Sequence, residues 1–229
     1  MPRFLAPATP SELLAYIVTH QTYPTTLIVC CPRPEFQIAL LHNVTSTLSS
    51  EEQPAQADAG RPSSSQEQRT RVLKALVSAP LYQTAVAKHI RVLFMPTVSH
   101  LRAYLSVFSP SDSKVPAPPS YAASESRYST PLLLLYGFLD AHRDTSEWNA
   151  QGISCTASIL VDAAYRTSYT PIVVEPKGDD GHPELDILLS ESVPLLGGAT
   201  TGEGVWSGRT VDVRQILGRW FKFYDGPLS

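Results

Sequence analysis

The sequence predicts an α/β fold with a mostly parallel β-sheet, helices on both faces of that sheet, and antiparallel strands at its C-terminal edge. Short apolar runs alternate along the chain with segments of helical periodicity, as in parallel sheets buried on both faces. The chain has 229 residues, 43% of them hydrophobic, which is enough for one sizeable core. We therefore expect a single domain over residues 1–229.

The first half of the chain predicts two successive units of strand and helix. Ser11 follows Pro10 and precedes a periodic apolar run, which predicts an N-capped helix over 11–20 that ends before Pro24. The elements that follow are a strand at 26–31, a helix at 35–44, a helical pattern at 68–89, a strand at 90–95 and a helix at 99–108.

The second half begins with PLLLLYGFLDAH, residues 131–142, in which four leucines predict a buried strand. A helix over 152–167 and a strand over 171–175 follow. From Val211 to Phe223 the pattern is mostly of period two, which predicts an antiparallel pair bent near Gly218.

Two stretches, 46–68 and 109–131, are rich in Ser, Pro and Ala and have little hydrophobic periodicity. We expect disordered insertions rather than linkers between domains, because the blocks between them are too short to fold alone.

Composition argues against several classes of protein. A net charge of −3 argues against a broadly basic nucleic-acid binder, so any basic patch must be local. The three cysteines, two of them adjacent at Cys30 and Cys31, predict buried reduced thiols rather than a disulfide framework. No apolar stretch approaches the roughly 18 residues that span a bilayer, and the N-terminus has no apolar secretory segment. We expect an intracellular protein with no membrane partner.

A buried strand like LLLLY often delivers an aspartate to Mg²⁺ in ATP-hydrolysing α/β proteins, but the rest of the sequence argues against an ATPase. A phosphate loop needs GxxxxGK[ST], whereas this chain has no Gly-Lys dipeptide and no glycine before Gly60. Tyr136 directly follows the leucines, and Asp140 comes four residues later. We expect neither ATP nor any other cofactor.

Other catalytic patterns are also absent from the sequence, which contains neither GxSxG nor HExxH. Asp140, His142 and Asp144 are spaced closely enough for a small acid/base or metal cluster, but a solvated loop is the favoured interpretation. We expect a protein that is not an enzyme and holds no metal.

The order of elements resembles the RecA-like core of the recombinase family over roughly residues 10–225. The chain begins with a helix, the strand TLIVCC and a second helix. The strand and helix in RVLFMPTVSHLRAYL follow, then the strand LLLLYGF, a long helix and the strand PIVVEP. A terminal antiparallel pair ends in KFYDGP. By position, Tyr136 stands where the family has its Mg²⁺ aspartate, and the segment before Ser11 stands where the phosphate loop would be. The resemblance implies a degenerate, non-hydrolysing member.

RecA-like proteins without an ATP site are found in Shu-type complexes of recombinase paralogues, which assist homologous recombination, and in the accessory ring of Elongator, a tRNA-modification complex. The segments RVLFMPTVSHLRAYL and LLLLYG are more similar to the Shu type. The resemblance implies a nuclear subunit that binds another RecA-like protein and, through the complex, single-stranded DNA. A cytoplasmic Elongator-type subunit and an unrelated α/β scaffold remain as alternatives.

Two sets of residues are candidates for binding. Cations beside an aromatic side chain can follow a single nucleic-acid strand, and the alternative role of such charges is to protect a sheet edge from aggregation. The candidates for nucleic acid are Arg209, Arg214, Arg219, Trp220 and Lys222. Trp148, in the polar stretch DTSEWNAQG, is the candidate anchor for a protein partner.

Overall fold

The computed structural model describes residues 1–20, 23–50, 87–112, 115–116, 130–177, 184–195 and 209–224. The strands are β1 (Arg3–Leu5), β2 (Thr25–Val29), β3 (Ile90–Phe94), β4 (Leu132–Tyr136), β5 (Thr170–Val174), β6 (Ser192–Pro194), β7 (Thr210–Asp212) and β8 (Lys222–Tyr224). The helices are α1 (Pro10–His20), α2 (Arg33–Ser50), α3 (Val98–Ser106), α4 (Phe138–His142), α5 (Ala150–Thr167), α6 (Leu185–Ser190) and α7 (Val213–Leu217).

Six strands form one sheet in the order β3-β2-β4-β5-β1-β8, and every neighbouring pair in it is parallel. Strands β6 and β7 form a separate two-stranded antiparallel sheet. The predicted fold class is confirmed: the protein is α/β, with a parallel sheet flanked by helices and a small antiparallel addition late in the chain.

Strand β4 lies in the interior of the sheet, and each of its five residues is buried. Leu133 and Leu135 belong to one apolar core, whereas Leu134 and Tyr136 belong to the other. Successive side chains of a strand point to opposite faces, so a continuous apolar run is what a strand covered on both sides requires. The four leucines predict this position correctly.

Two apolar cores lie on opposite faces of the sheet. On the face that we call the α1 face, α1 and the start of α2 pack over β2, β4 and β5 through residues such as Leu13, Ile17 and Phe36. On the opposite side, the α5 face, helices α3 to α7 contribute to a larger core. Helix α5 runs along this core and presents Ile153, Ala157 and Leu160 to it at helical spacing.

Helix α1 begins one residue earlier than predicted. Its cap is Thr9 rather than Ser11, because the Leu13 N–H already donates to the Thr9 carbonyl at 3.0 Å. Pro10 occupies the first helical position, where a missing N–H and a fixed φ are tolerated. Helix α2 continues to Ser50, so residues 46–50 of the predicted first insertion are helical.

The tail from Val211 to Phe223 is not the predicted hairpin. Val213, Ile216 and Leu217 have helical spacing and form the buried side of α7, which ends at Gly218. Strand β7 instead pairs with β6, and β8 joins the outer edge of the main sheet parallel to β1. Period-two alternation over residues 211–223 was therefore a wrong interpretation of a short strand, a helix and a second short strand.

The remaining parts of the two predicted insertions fall mostly outside the described residues, as do residues 68–86 of the helical pattern. Three short pieces of the second insertion are described, and two of them form hydrogen bonds with the rest of the domain. The Tyr23 hydroxyl donates to the Val115 carbonyl at 3.0 Å, and residues 110–112 form a 3₁₀ turn. At the end of that insertion, the Thr170 N–H donates to the Pro131 carbonyl at 2.7 Å.

Candidate functional site at the carboxyl edge of the sheet

The carboxyl edge of the sheet contains a crevice where adjacent strands send the chain to opposite faces. After β1 and β2 the chain continues to helices on the α1 face, whereas after β4 and β5 it continues to helices on the α5 face. In open α/β sheets such divergence opens a crevice at which ligands bind. Here the carboxyl-edge crevice lies among the starts of α1 and α2 and the ends of β2, β4 and β5, with a volume of about 60 Å³.

The N-terminus of α1, which borders this crevice, is occupied by the protein's own carboxylate. The Thr9 N–H donates to Glu12 Oε2 at 2.9 Å, and the Glu12 N–H donates to Thr9 Oγ1 at 3.3 Å. This reciprocal pair is a capping box, which satisfies N–H groups that would otherwise be available to an anion. Lys177 Nζ donates to Glu12 Oε1 at 2.6 Å, and with Thr9 it lowers the pKa of Glu12 against the effect of burial.

The segment between β1 and α1 is tied directly to the neighbouring strand ends. The Ala8 N–H donates to the Glu175 carbonyl at 3.0 Å, and Ala8 forms a parallel bridge with Pro176. The buried Tyr136 hydroxyl donates to the Ala8 carbonyl, also at 3.0 Å. Both backbone polar groups of Ala8 are thus used within the fold, and the segment lies against β5 rather than arching away from it as a phosphate-binding loop would.

Glu175 follows β5 and is 1% exposed. Its Oε1 atom accepts from the Leu139 N–H at 2.9 Å, while Oε2 has no hydrogen-bond partner among the described residues. Burial raises the pKa of Glu175 to about 8; Asp140 adds to the effect, and N–H groups at the start of α4 oppose it. The side chain is therefore a neutral carboxylic acid at neutral pH, beneath the crevice.

The two adjacent cysteines follow β2. Cys30 is buried and Cys31 half-buried, and both are free thiols, as predicted. Burial raises the pKa of Cys31 to about 12 and that of Cys30 well above its usual range. Neither sulfur is a thiolate near pH 7, so neither is an activated nucleophile. Cys155, in contrast, is exposed on α5.

The predicted cluster of Asp140, His142 and Asp144 does not form, and the favoured solvated loop is wrong for His142. That side chain is fully buried in α4, where Nδ1 bonds the Phe138 carbonyl at 2.7 Å and Nε2 bonds Thr156 Oγ1 at 2.8 Å. Burial lowers the pKa of His142 to about 4. Within the described ranges, no group of three His, Cys, Asp or Glu side chains could hold a metal ion.

Arg102 completes the polar network around His142. Its guanidinium donates to Thr156 Oγ1 at 2.8 Å, to Glu147 Oε2 at 2.6 Å and to the Gly152 carbonyl at 2.8 Å. These bonds join α3 to the start of α5 through paired, partly buried charges. The network therefore holds helices together, which is a structural role.

The five residues predicted to bind nucleic acid lie at different places. Arg219 and Trp220 border a groove between α5 and α7, where the Trp220 indole N–H donates to Ser154 Oγ at 3.1 Å. Arg214 lies on α7, pairs with Asp186 at 3.0 Å and lies over the Phe223 ring.

The other two cations lie apart from that groove. Lys222 Nζ lies 5.3 Å from the centre of the Tyr224 ring at the outer strand, and alternation along β8 places these two side chains on the face opposite to Phe223. Arg209 precedes β7 and is exposed. The structure brings Arg219 together with Trp220 but gives no single row of cations.

Trp148 is partly buried rather than projecting from a polar loop. The side chain packs against the core of the α5 face, and the backbone N–H of Trp148 donates to the Thr145 carbonyl at 3.1 Å. The residues around it hold the turn before α5, where Asn149 caps the helix by accepting from the Gly152 N–H at 2.7 Å. Only the exposed part of the indole is left for a partner.

Sequence reasoning missed the residues that close the crevice. Thr9 and Glu12 did carry a signal, since T-x-x-E before an apolar run is the capping-box pattern. Glu175 had a weaker one, a single acid at the end of an apolar strand. The bond from Tyr136 to Ala8 spans 128 residues and has no signal in either local segment.

No protein-family model matches the chain, and no curated protein matches it either.

We expect Glu175→Gln to stabilise the protein at neutral pH. The folded state holds the proton up to about pH 8, whereas the unfolded state releases it near its usual pKa of 4.5. The wild-type protein thus loses stability as the pH rises from 4.5 to 8. The variant lacks this loss and should gain about 3 kcal/mol at pH 7.

Urea denaturation at several pH values measures this difference. Glu184→Gln, at an exposed position, is the matched control and should change stability little. A Glu175→Gln protein less stable than the wild type at pH 7 would mean that the carboxylate is ionised and paired in the fold.

Proposed function

We propose that this protein is a non-catalytic, RecA-like subunit of a nuclear complex that assists homologous recombination. It acts by binding another RecA-like subunit and, through the complex, single-stranded DNA. The observation that carries the proposal is the closure of the carboxyl edge by Tyr136, Ala8 and the Thr9–Glu12 capping box.

The positions of these groups support a degenerate nucleotide fold. In the RecA-like family, the phosphate loop and the Mg²⁺ aspartate act on the same ligand and must lie close together. The corresponding positions here are the segment before α1 and Tyr136, and they are joined by a hydrogen bond of 3.0 Å. A phenol donating to a backbone carbonyl leaves no metal ligand at that point, and Glu12 supplies negative charge where a phosphate would bind.

The size of the crevice supports the same proposal. Pockets that enclose a ligand of nucleotide size have volumes of roughly 300 to 1,000 Å³. The carboxyl-edge crevice measures about 60 Å³. Because the position of the nucleotide is closed, we expect this protein to act through binding surfaces elsewhere on the fold.

Exposed apolar side chains in the described residues support a role in assembly. Ile38 and Leu41 on α2 are 68% and 66% exposed, and Tyr165 on α5 is 85% exposed. Large aliphatic and aromatic side chains of this kind supply the centres of protein interfaces. None of the helices that the structure describes is long and apolar enough to cross a membrane.

We expect no binding of ATP in the presence of Mg²⁺. Isothermal titration calorimetry should show no saturable heat, because the α1 N-terminus is already capped and Tyr136 cannot ligate a metal. Binding with a micromolar dissociation constant would contradict the proposal. Repeating the titration with Glu12→Ala would then show whether the nucleotide lies at the start of α1.

We expect the tagged protein to co-purify from its native cells with a recombinase paralogue at one-to-one stoichiometry. Mass spectrometry of the purified complex identifies the partner. Recovery of Elongator subunits instead would replace the proposal with a tRNA-modification role. Recovery of a monomer without stoichiometric partners would favour the remaining alternative, an unrelated α/β scaffold protein.

We expect Arg219→Gln combined with Lys222→Gln to weaken single-stranded DNA binding by the purified complex. Each lost phosphate contact should reduce the slope of log affinity against log salt by about 0.7. Fluorescence anisotropy over a range of salt concentrations measures both quantities. Arg33→Gln, an exposed change at the start of α2, is the matched control. An unchanged slope in an intact complex would assign these cations to protection of the sheet edge.

A further inference from the structure

The buried His142 ring has both of its nitrogens hydrogen-bonded inside the protein. Nδ1 lies 2.7 Å from the Phe138 carbonyl, and Nε2 lies 2.8 Å from Thr156 Oγ1. A carbonyl oxygen can only accept, so Nδ1 carries the hydrogen of the neutral ring and Nε2 is an acceptor. The hydroxyl of Thr156 therefore donates to Nε2.

The Thr156 hydroxyl also has a second acceptor within reach. The Gly152 carbonyl lies 3.1 Å from Oγ1. If the His142 ring takes up a second proton, its Nε2–H donates to Oγ1, and the hydroxyl hydrogen turns to the Gly152 carbonyl. Rotation of one hydroxyl thus lets the network accept a proton without losing a hydrogen bond.

Charge, rather than hydrogen bonding, opposes this protonation. Arg102 Nε donates to the same Thr156 oxygen at 2.8 Å, so an imidazolium and a guanidinium would share one acceptor atom. Among the described residues, Arg102 of α3 and Glu147 of the turn before α5 are the charged groups that act on His142. The Glu147 carboxylate is already paired with Arg102 at 2.6 Å. A second cation at this point is therefore only partly compensated.

The network makes the stability of this region depend on pH. Burial lowers the pKa of His142 to about 4; Arg102 adds to the effect, and the Phe138 carbonyl and Glu147 oppose it. A ring that reaches water titrates near its ordinary pKa of 6.5. Because the folded-state pKa lies below the ordinary value, stability is lost as the pH falls from 6.5 to 4. Acid thus favours any state in which the ring is exposed.

The chain segment that holds the ring in place is a surface turn. Residues 142–149, which we call the α4–α5 turn, join the end of α4 to the cap of α5, and Asp144, Thr145 and Ser146 within it are exposed. The turn is held by the Thr145 hydroxyl, which donates to the His142 carbonyl at 2.6 Å, and by the bond between Glu147 and α3. Exposed segments with few buried contacts open at lower cost than core strands.

We propose that the Arg102–Thr156–His142 network is an acid-operated latch, which holds the α4–α5 turn against α3 at neutral pH and releases the turn when His142 takes up a proton. The latch goes beyond the proposed function and does not depend on it. Trp148 lies in this turn, with its side chain packed against the core of the α5 face. Release of the turn therefore frees an indole that is covered at neutral pH.

Amide hydrogen exchange of the full chain, measured by NMR at pH 7 and pH 5, tests the latch. The reporters are the amides of Thr145 and Trp148, which donate within the turn. After correction for intrinsic exchange rates, their opening constant should be about 20-fold larger at pH 5. The Cys30 amide, bonded between central strands, should not show this increase, because opening the sheet also exposes Glu175, whose effect on stability has the opposite sign.

Two variants separate titration of this ring from a general effect of acid. His142→Gln has a side-chain amide that does not titrate, so the opening constants at pH 7 and pH 5 should become nearly equal. His100→Gln, at an exposed position on α3, is the matched control and should keep the 20-fold increase.

Ring signals of the wild-type protein give a test that needs no variant. ¹⁵N NMR should show hydrogen on Nδ1 of His142 at pH 7, and the ring should titrate well below pH 6.5. Arg102→Gln should move this titration to higher pH, and Glu147→Gln should move it to lower pH.

Several outcomes would overturn the latch. They are a ring that titrates near pH 6.5 in the folded protein, an equal increase in exchange at Cys30 and in the turn, and an unchanged pH dependence in His142→Gln. None of them bears on the proposed function, which makes no use of His142.

Discussion

The hydrogen bond from the Tyr136 hydroxyl to the Ala8 carbonyl determines what the carboxyl edge of this protein can do. It joins the end of the central strand to the segment before α1, two places that are 128 residues apart in the sequence. The Ala8 N–H is committed at the same time to the Glu175 carbonyl. Since both polar groups of this residue are buried and paired, opening the segment would leave unsatisfied donors and acceptors, which costs about 1 to 3 kcal/mol for each group.

The charges near this bond follow from the same closure. A nucleotide-binding edge would present N–H groups to a phosphate, but here the Thr9 N–H donates to the Glu12 carboxylate and the Lys177 ammonium pairs with the same carboxylate. Glu175, excluded from water beneath the segment, is held as a neutral acid. Buried groups of this kind often mark catalytic sites; here burial also raises the pKa values of the nearby thiols of Cys30 and Cys31.

Secondary structure was predicted well where packing and local pattern agree. The four leucines of β4, the apolar strands β2, β3 and β5 and the long helix α5 are all present near their predicted positions. The period-two pattern gave a wrong prediction for the tail, because Val213, Ile216 and Leu217 fit both a helix and parts of an alternating strand. A segment of three to five residues is too short to distinguish the period of a helix from that of a strand. Contacts of α7 with α5 and α6 decided the outcome.

The sequence by itself determined the α/β class and the parallel sheet, because runs of apolar side chains without alternation can be buried only between two layers of helices. It also determined the absence of a Gly-Lys phosphate loop. Only the tertiary structure decided that Ala8 meets Tyr136 and Glu175, that His142 is buried beside Arg102, and that Arg219 and Trp220 lie apart from Lys222. These contacts join residues brought together by strand order and helix packing, and such long-range pairings leave no periodic trace in the segments that form them.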